Sequence, residues 1–237
     1  SEEKFYDKAQ KFALYPTVND EFFTFQELKD KISKTQTDKD EKLIILYASN
    51  KDEQHPYIEA AKEKGYEVLL LDSPIISHLI QKIESSNDKV AFSRVDADVI
   101  DKLIKKDSEE ISKLDEKEKD KLKGVIEEFV PKEKYTVQLE AMDSDAAPFT
   151  ITFPEFMRRM KEMQQSGGNS MFGNMPEMYN LIINVNNPIC SEILKSKNKD
   201  KKKRLINQSL DLAKLSQNLL KGENLTSFIK RSLDFIK

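Results

Sequence analysis

The sequence predicts an α/β layer domain followed by an α+β domain, the first built on a βαβ unit with flanking helices and the second ending in a helical hairpin. Three observations predict it. Two continuous apolar runs, "LIILYAS" at 43–49 and "EVLLLD" at 67–72, bracket one helix-length segment, which is the pattern of parallel strands covered on both faces. Further on, "YTVQLEAM" and "APFTITF" alternate apolar and polar residues as half-buried strands do. From Leu205 onward, apolar residues at helical spacing form stripes broader than one neighbouring helix covers.

Taken in order, the opening segment sets Phe5, Tyr6, Ala9, Phe12 and Ala13 on one helical face and starts without methionine, so the chain reads as a fragment of a longer one. Thr24 and Glu27 have capping-box spacing and predict a helix from Phe25 to about Ser33. After the first apolar run, "HPYIEAAKEKG" is a helix stopped by Gly65, and "EVLLLD" completes the βαβ unit. "SPIISHLIQKIE" is another helix, with Ser73 as N-cap and Pro74 in its first turn. Two strands make a poor sheet, so further strands are expected from outside this chain.

From Ser85 to about Glu118 the mixed-sign charges read as a solvated helical linker, and the domain boundary falls there, dividing 1–110 from 111–237. "KLKGVIEEFVP" is then a helix closed by Pro131, and the two alternating strands follow around a "DSDAAP" turn. Pro154 opens a methionine-rich helix, and "MYNLIINV" is a third strand. "NPICSEILKS" is a short helix with Asn187 as cap and Pro188 at its first position. Two helices finish the chain, the first ended by Gly222 and the second capped by Asn224.

Composition narrows the chemistry. With 237 residues, 38% hydrophobic and 34% charged, the chain can build genuine cores, and two domains are expected at this size. The net charge of −3 creates no global field toward nucleic acid or an anionic membrane, and no apolar run reaches the length of a membrane span. The single cysteine, Cys190, excludes an internal disulfide and fits a cytoplasmic protein. Six glycines include no G-x-G-x-x-G and no Gly-Lys-Ser/Thr, so no phosphate cradle is expected. His55 and His78 lie in the first domain and Cys190 in the second, which separates nucleophile from base. His55 and Glu59 are too few for a metal site, and Asp143 with Asp145 is turn chemistry. No catalytic residue, metal or cofactor is therefore expected here. The basic run "KSKNKDKKKR", 195–204, lacks aromatic residues for base stacking and reads as a solvated loop, with an acidic partner as its option.

Two amphipathic signals carry the functional reading. Six of the seven methionines lie between Phe153 and Leu181. Phe153, Phe156, Met157, Met160 and Met163 form one helical stripe, with Arg158, Arg159, Lys161 and Glu162 opposite. The bland alternative packs this stripe on its own domain's sheet. Methionine adapts to varied shapes, however, and Met171, Phe172 and Met175 follow on a glycine-rich loop, with Met178 beyond it. Phe156, Met157, Met160, Met163, Met171, Phe172, Met175 and Met178 are thus expected to form a contact surface.

In the second signal, Leu205, Leu212 and Leu219 repeat every seven residues beside Ile206 and Leu220, and Leu215 widens the stripe. The last helix adds Leu225, Phe228, Ile229, Leu233 and Ile236. Left alone, this hairpin exposes a large apolar patch; pairing it with a second copy gives a four-helix bundle and a two-fold interface through those residues. Folding back on the domain's own sheet is the alternative.

The order of segments resembles the ninety-kilodalton heat-shock chaperone family, over nearly the whole chain. "MDSDAAPFTITFPEFMRRMKEMQ" looks like the family's Asp-Ser hairpin and Met-x-Arg helix, here Met157, Arg159 and Gln164. "LIINVNNPI" is similar to its Leu-Glu-Ile-Asn-Pro segment, at Leu181, Ile183, Asn184 and Ile189, with Val185 where the family has proline. "HPYIEAAKEKGYEVLLLDSPI" resembles the small α/β piece that ends the family's middle domain. The resemblance implies a homodimer that touches non-native client proteins, with ATP and Mg bound only in the full-length protein, so that this fragment is no enzyme. The tail lacks a Met-Glu-Glu-Val-Asp or Lys-Asp-Glu-Leu ending, which implies a bacterial cytoplasmic member. The competing reading is an enzymatic or small-molecule-binding α/β domain with its site at the carboxyl ends of the strands, near Ser49, Asn50, Asp72 and Ser73.

Overall fold

The opening helical face at Phe5, Tyr6 and Ala9 lies outside the described residues, which begin with two short segments that pair locally ahead of the longer strands in the sequence. In the computed structural model, which describes residues 12–73, 76–106, 110–166 and 178–234, the backbone divides into two units: Ser1–Asp107 with Glu155–Gly168, and Ser108–Pro154 with Asn169–Lys237.

The first unit opens with an antiparallel pair, β1 (Leu14–Pro16) and β2 (Phe22–Thr24). Thr17 Oγ1 organises the turn by accepting from the Asn19 and Glu21 N–H groups, both at 3.2 Å. Thr24 ends β2 and caps α1 (Phe25–Gln36): its Oγ1 accepts from Glu27 N–H at 3.4 Å, and Glu27 Oε2 accepts from Thr24 N–H at 2.8 Å. This is the predicted capping box. The helix runs past Ser33 because Gln36 is buried and anchored, its Nε2 donating to Ile44 O at 2.9 Å and its Oε1 accepting from Glu67 N–H at 2.6 Å. Thr24→Ala is expected to cost this unit about 1 kcal/mol. Hydrogen exchange of the α1 amides measures it, and unchanged rates would show the cap to be idle.

β3 (Leu43–Ala48) is buried at every position, as a strand covered on both faces must be. Its alternate side chains enter two cores. Leu43, Ile45 and Tyr47 pack with Leu28 and Ile32 of α1 and with Ile80 and Ile83 of a later helix. Ile44, Leu46 and Ala48 pack with Tyr57, Ile58 and Ala61 of α2 (His55–Glu63). Gly65, at φ +72°, stops α2, its N–H bonding Lys62 O at 2.8 Å while Tyr66 N–H reaches Ala61 O at 3.0 Å. β4 (Val68–Leu70), α3 (Ile76–Ser86), β5 (Val90–Arg94) and α4 (Ile100–Leu103) follow. The sheet order is β4-β3-β5, parallel throughout. The third strand therefore comes from inside the segment read as linker. Only Val90 and Phe92 of β5 are buried, which is too short an alternation to stand out among charges.

In the second unit, Asp115 and Glu118 form a reciprocal capping box on α5 (Glu116–Glu127). β6 (Tyr135–Glu140) runs parallel to β8 (Tyr179–Asn184), and β7 (Phe149–Thr152) runs antiparallel to it, in the order β6-β8-β7. The two alternating strands are thus separated by the third. Between β7 and β8 the chain contributes α6 (Glu155–Ser166) to the first unit, an exchange that a single cut in the sequence cannot express. α7 (Pro188–Lys195), α8 (Lys199–Ser216) and α9 (Gly222–Asp234) complete the second unit. Leu122, Ile126, Ile151, Leu181, Ile183, Cys190, Ile193 and Ile206 form the centre of its core.

Two expected boundaries move. The run 195–204 is largely helix rather than loop, because Asn198 Oδ1 accepts from Lys201 N–H at 3.1 Å and starts α8 at Lys199. α8 ends at Ser216 and not at Gly222: Asn218 takes φ +54°, and Leu219 N–H closes the end on Lys214 O at 2.8 Å. Gly222, at φ +58°, opens α9.

Candidate functional site

Helix α6 carries the candidate contact residues, and its first two turns are fixed by charge. Glu155 accepts from Tyr47 Oη at 3.1 Å, from Arg158 Nε at 3.2 Å and from Arg159 Nε at 2.9 Å. Arg158 Nη2 also donates to Tyr47 Oη and to Glu155 Oε1. Arg159 extends its fork to Glu84 of α3, at 2.8 and 3.1 Å, and gives a further bond to Phe92 O at 3.0 Å. Burial acts to raise the Glu155 carboxyl, but Arg158 and Arg159 outweigh it and hold the group below the ordinary carboxylate range. Burial, and then the Glu155 charge, push the Tyr47 phenol up.

This reverses part of the expected polarity of the helix. Arg158 is only 4% exposed, while Phe156, placed on the apolar stripe, is 71% exposed. Met157 and Met160 are half-buried and Met178 is exposed. The side chains of Met163, Met171, Phe172 and Met175 lie outside the described residues. The available signal was the Glu155–Arg158–Arg159 spacing, at i+3 and i+4, which pairs one carboxylate with two guanidiniums.

The hairpin residues divide into two groups. Ile206 and Leu220 are buried in the second unit, Phe228 is buried, and Leu205 and Leu219 pack against that unit's core, with Leu225 half-buried. Leu212, Leu215, Ile229 and Leu233 are left exposed, at 47%, 43%, 51% and 53%. Ile236 lies outside the described residues. Asp211 of α8 ties the two helices together by accepting from Arg231 of α9, and it also pairs with Lys214 at 3.2 Å.

Beyond the Asn187 cap that the sequence predicts, the "NVNN" segment has a structural task that sequence reasoning missed. Asn184 Oδ1 accepts from the Met142 and Asn186 N–H groups, while its Nδ2 donates to Asp143 O at 2.7 Å. Asn186 Nδ2 donates to Ile111 O and Met142 O, and its Oδ1 accepts from Lys113 N–H. Asn187 caps α7 through Ile189 N–H at 2.9 Å and holds Ala146 O at 2.9 Å. Together they staple the 142–146 loop to the end of β8. Cys190 beside them is fully buried, and burial pushes its thiol up to about 12, far from the value an active thiolate needs.

At the carboxyl end of β3, Gln54 Oε1 accepts from Ser49 N–H at 2.7 Å and Asn50 N–H at 3.0 Å, so this loop is closed on itself. A cavity of about 640 Å³ lies elsewhere, between α7 and α8, lined by Lys113, Asn186, Ser191, Glu192, Lys195 and Lys201. Lys201 is already paired with Glu192 at 2.6 Å.

The family model described as Hsp90 protein matches residues 2–229. "Chaperone protein htpG" of Bacteroides fragilis strain YCH46 is 34% identical over 304 residues, covering 100% of this chain and 45% of that protein. "Chaperone protein HtpG" of Porphyromonas gingivalis strain ATCC 33277 is 35% identical over 198 residues, covering 82% of this chain and 29% of that protein. The "Endoplasmin homolog" of Dictyostelium discoideum is 30% identical over 123 residues, covering 51% of this chain and 14% of that protein. The chain thus spans about half the length of the Bacteroides relative, 45%.

Proposed function

The chain belongs to the Hsp90 protein family, and from that membership we propose that it supplies the self-association and part of the client-contact surface of an ATP-dependent bacterial chaperone. In this proposal ATP and Mg²⁺ are bound outside these 237 residues, which take no catalytic part. The partners are a second copy, through a four-helix bundle, and non-native proteins. Among the described residues no helix is long and apolar enough to cross a membrane, and the proposed location is the cytoplasm.

The observation that carries the reading is apolar side chain left outside the cores: Phe156 on α6, and Leu212, Leu215, Ile229 and Leu233 on the hairpin. Ile206 and Leu220 are taken up by their own subunit, so the proposed two-fold contact rests on the four exposed hairpin residues. Phe156 sits beside half-buried Met157 and Met160, a combination that suits loosely specific contact with varied apolar segments.

Phe156→Ser tests the client half. The concentration of chain that halves the aggregation of a thermally unfolded reporter enzyme should rise roughly three- to tenfold, the loss expected when a client covers about half of one large apolar side chain, worth about 1 kcal/mol. An unchanged concentration removes Phe156 from the contact surface.

A further inference from the structure

β5 is an edge strand, and an edge leaves backbone donors and acceptors without a ladder partner. Phe92 and Arg94 are two apart on β5, so their outward backbone groups point the same way. Phe92 N–H donates to Glu84 Oε1 at 2.8 Å, Phe92 O accepts from Arg159 at 3.0 Å, and Arg94 N–H donates to Glu155 Oε2 at 3.4 Å. Side chains of α3 and α6 thus take the place of a fourth strand. Among the described residues of α6, Phe156, Met157 and Met160 belong to neither apolar core of this unit, and the helix is tied to β5 and α3 by polar bonds.

We infer that Glu84 and Arg159 are positioning residues for the contact helix, their forked pair locking α6 along the open edge of β5 so that Phe156 faces outward. The inference rests on the client-contact reading of α6. Orientation follows from geometry, because a planar guanidinium bound twice to one carboxylate and once to a backbone carbonyl leaves the helix no freedom to roll. Glu155 fixes the same helix one turn earlier, and Arg158 backs it against the buried Tyr47.

Hydrogen exchange across 156–166 in the whole chain tests it. Glu84→Gln and Arg159→Gln should each speed exchange about tenfold or more, the loss expected for charge-assisted bonds of this kind. The double variant should speed exchange by less than the product of the two single effects, since both changes break the shared Glu84–Arg159 fork, while Arg159 alone also serves Glu155 and Phe92 O. Arg159→Lys, which keeps the charge but not the fork, should recover only part of the protection. Glu84 also holds β5; if Glu84→Gln speeds exchange in 43–48 as well, Arg159→Gln alone decides, because Glu84 then keeps its bond to Phe92 N–H. Unchanged α6 exchange in Arg159→Gln overturns the inference. Loosened α6 exchange with unaltered aggregation suppression supports the positioning and sinks the client-contact reading. Intact protection in Arg159→Gln, together with weakened suppression in Phe156→Ser, does the reverse.

Discussion

Replacing Leu212 and Ile229 together by aspartate is expected to turn the proposed two-fold dimer into monomers in sedimentation velocity. Both side chains are about half exposed in the single subunit, as are Leu215 and Leu233 on the same two helices. Covering the remaining half of such a side chain stabilises by about 1 kcal/mol, and a two-fold axis counts every residue twice. Two substitutions per copy therefore remove on the order of 4 kcal/mol, which is roughly a thousandfold in the dissociation constant, before the cost of facing carboxylates is added. Phe228, equally prominent in the sequence, is the wrong residue for this test. It is buried within its own subunit, and a charge there would disrupt the hairpin instead of separating two intact copies. Retained helical circular dichroism in the double variant establishes that the fold survives. A variant that still sediments as a dimer places the interface elsewhere, and a wild-type chain that sediments as a monomer removes the bundle altogether.

What the sequence discloses depends on how local the physics is. Thr24 with Glu27, Gly65 after α2, and Asn187 before Pro188 each act within a few residues, and each does in the structure what its spacing predicts. The full burial of β3 follows from an unbroken apolar run. Properties set by partners distant in sequence are less accessible. β8 enters between β6 and β7 because its residues are buried on both faces, but nothing local in "YTVQLE" or "FTIT" announces which neighbour each will take. The guanidiniums of Arg158 and Arg159 look like a solvated helix face until Tyr47 and Glu84, 111 and 75 residues away, are brought to them. Asn218 ends α8 where glycine was expected, since asparagine also tolerates the left-handed conformation. The family was readable because its motifs survive in order, and the asparagines of "LIINVNNPI" show what that segment does: all three amides hold backbone of the 142–146 loop, and Asn186 also holds Ile111 and Lys113.

Asn184→Ala should therefore be among the most damaging single changes in the second unit. The residue is 1% exposed and sits at the end of the central strand β8, where its amide serves four backbone groups. Alanine leaves the Met142 and Asn186 N–H groups without their acceptor, and Met142 and Asn186 are themselves buried. The Asp143 carbonyl, on an exposed residue, can turn to water, so it adds less. Two stranded donors cost about 1–3 kcal/mol each, and partial relaxation of the 142–146 loop brings the expected total to about 3 kcal/mol. With two units in the chain, one global unfolding transition is a poor measure, but exchange of the β8 amides reports the second unit alone. Those amides should exchange roughly a hundredfold faster in the variant, while the amides of β3 keep their rates. Asn184→Asp sharpens the argument, because a carboxylate can accept from both N–H groups but cannot donate to the Asp143 and Ala146 carbonyls, and it brings a buried charge against them. If the staple works through its donors as well as its acceptor, aspartate is no rescue at neutral pH; wild-type exchange in Asn184→Asp would mean that acceptance alone holds the loop.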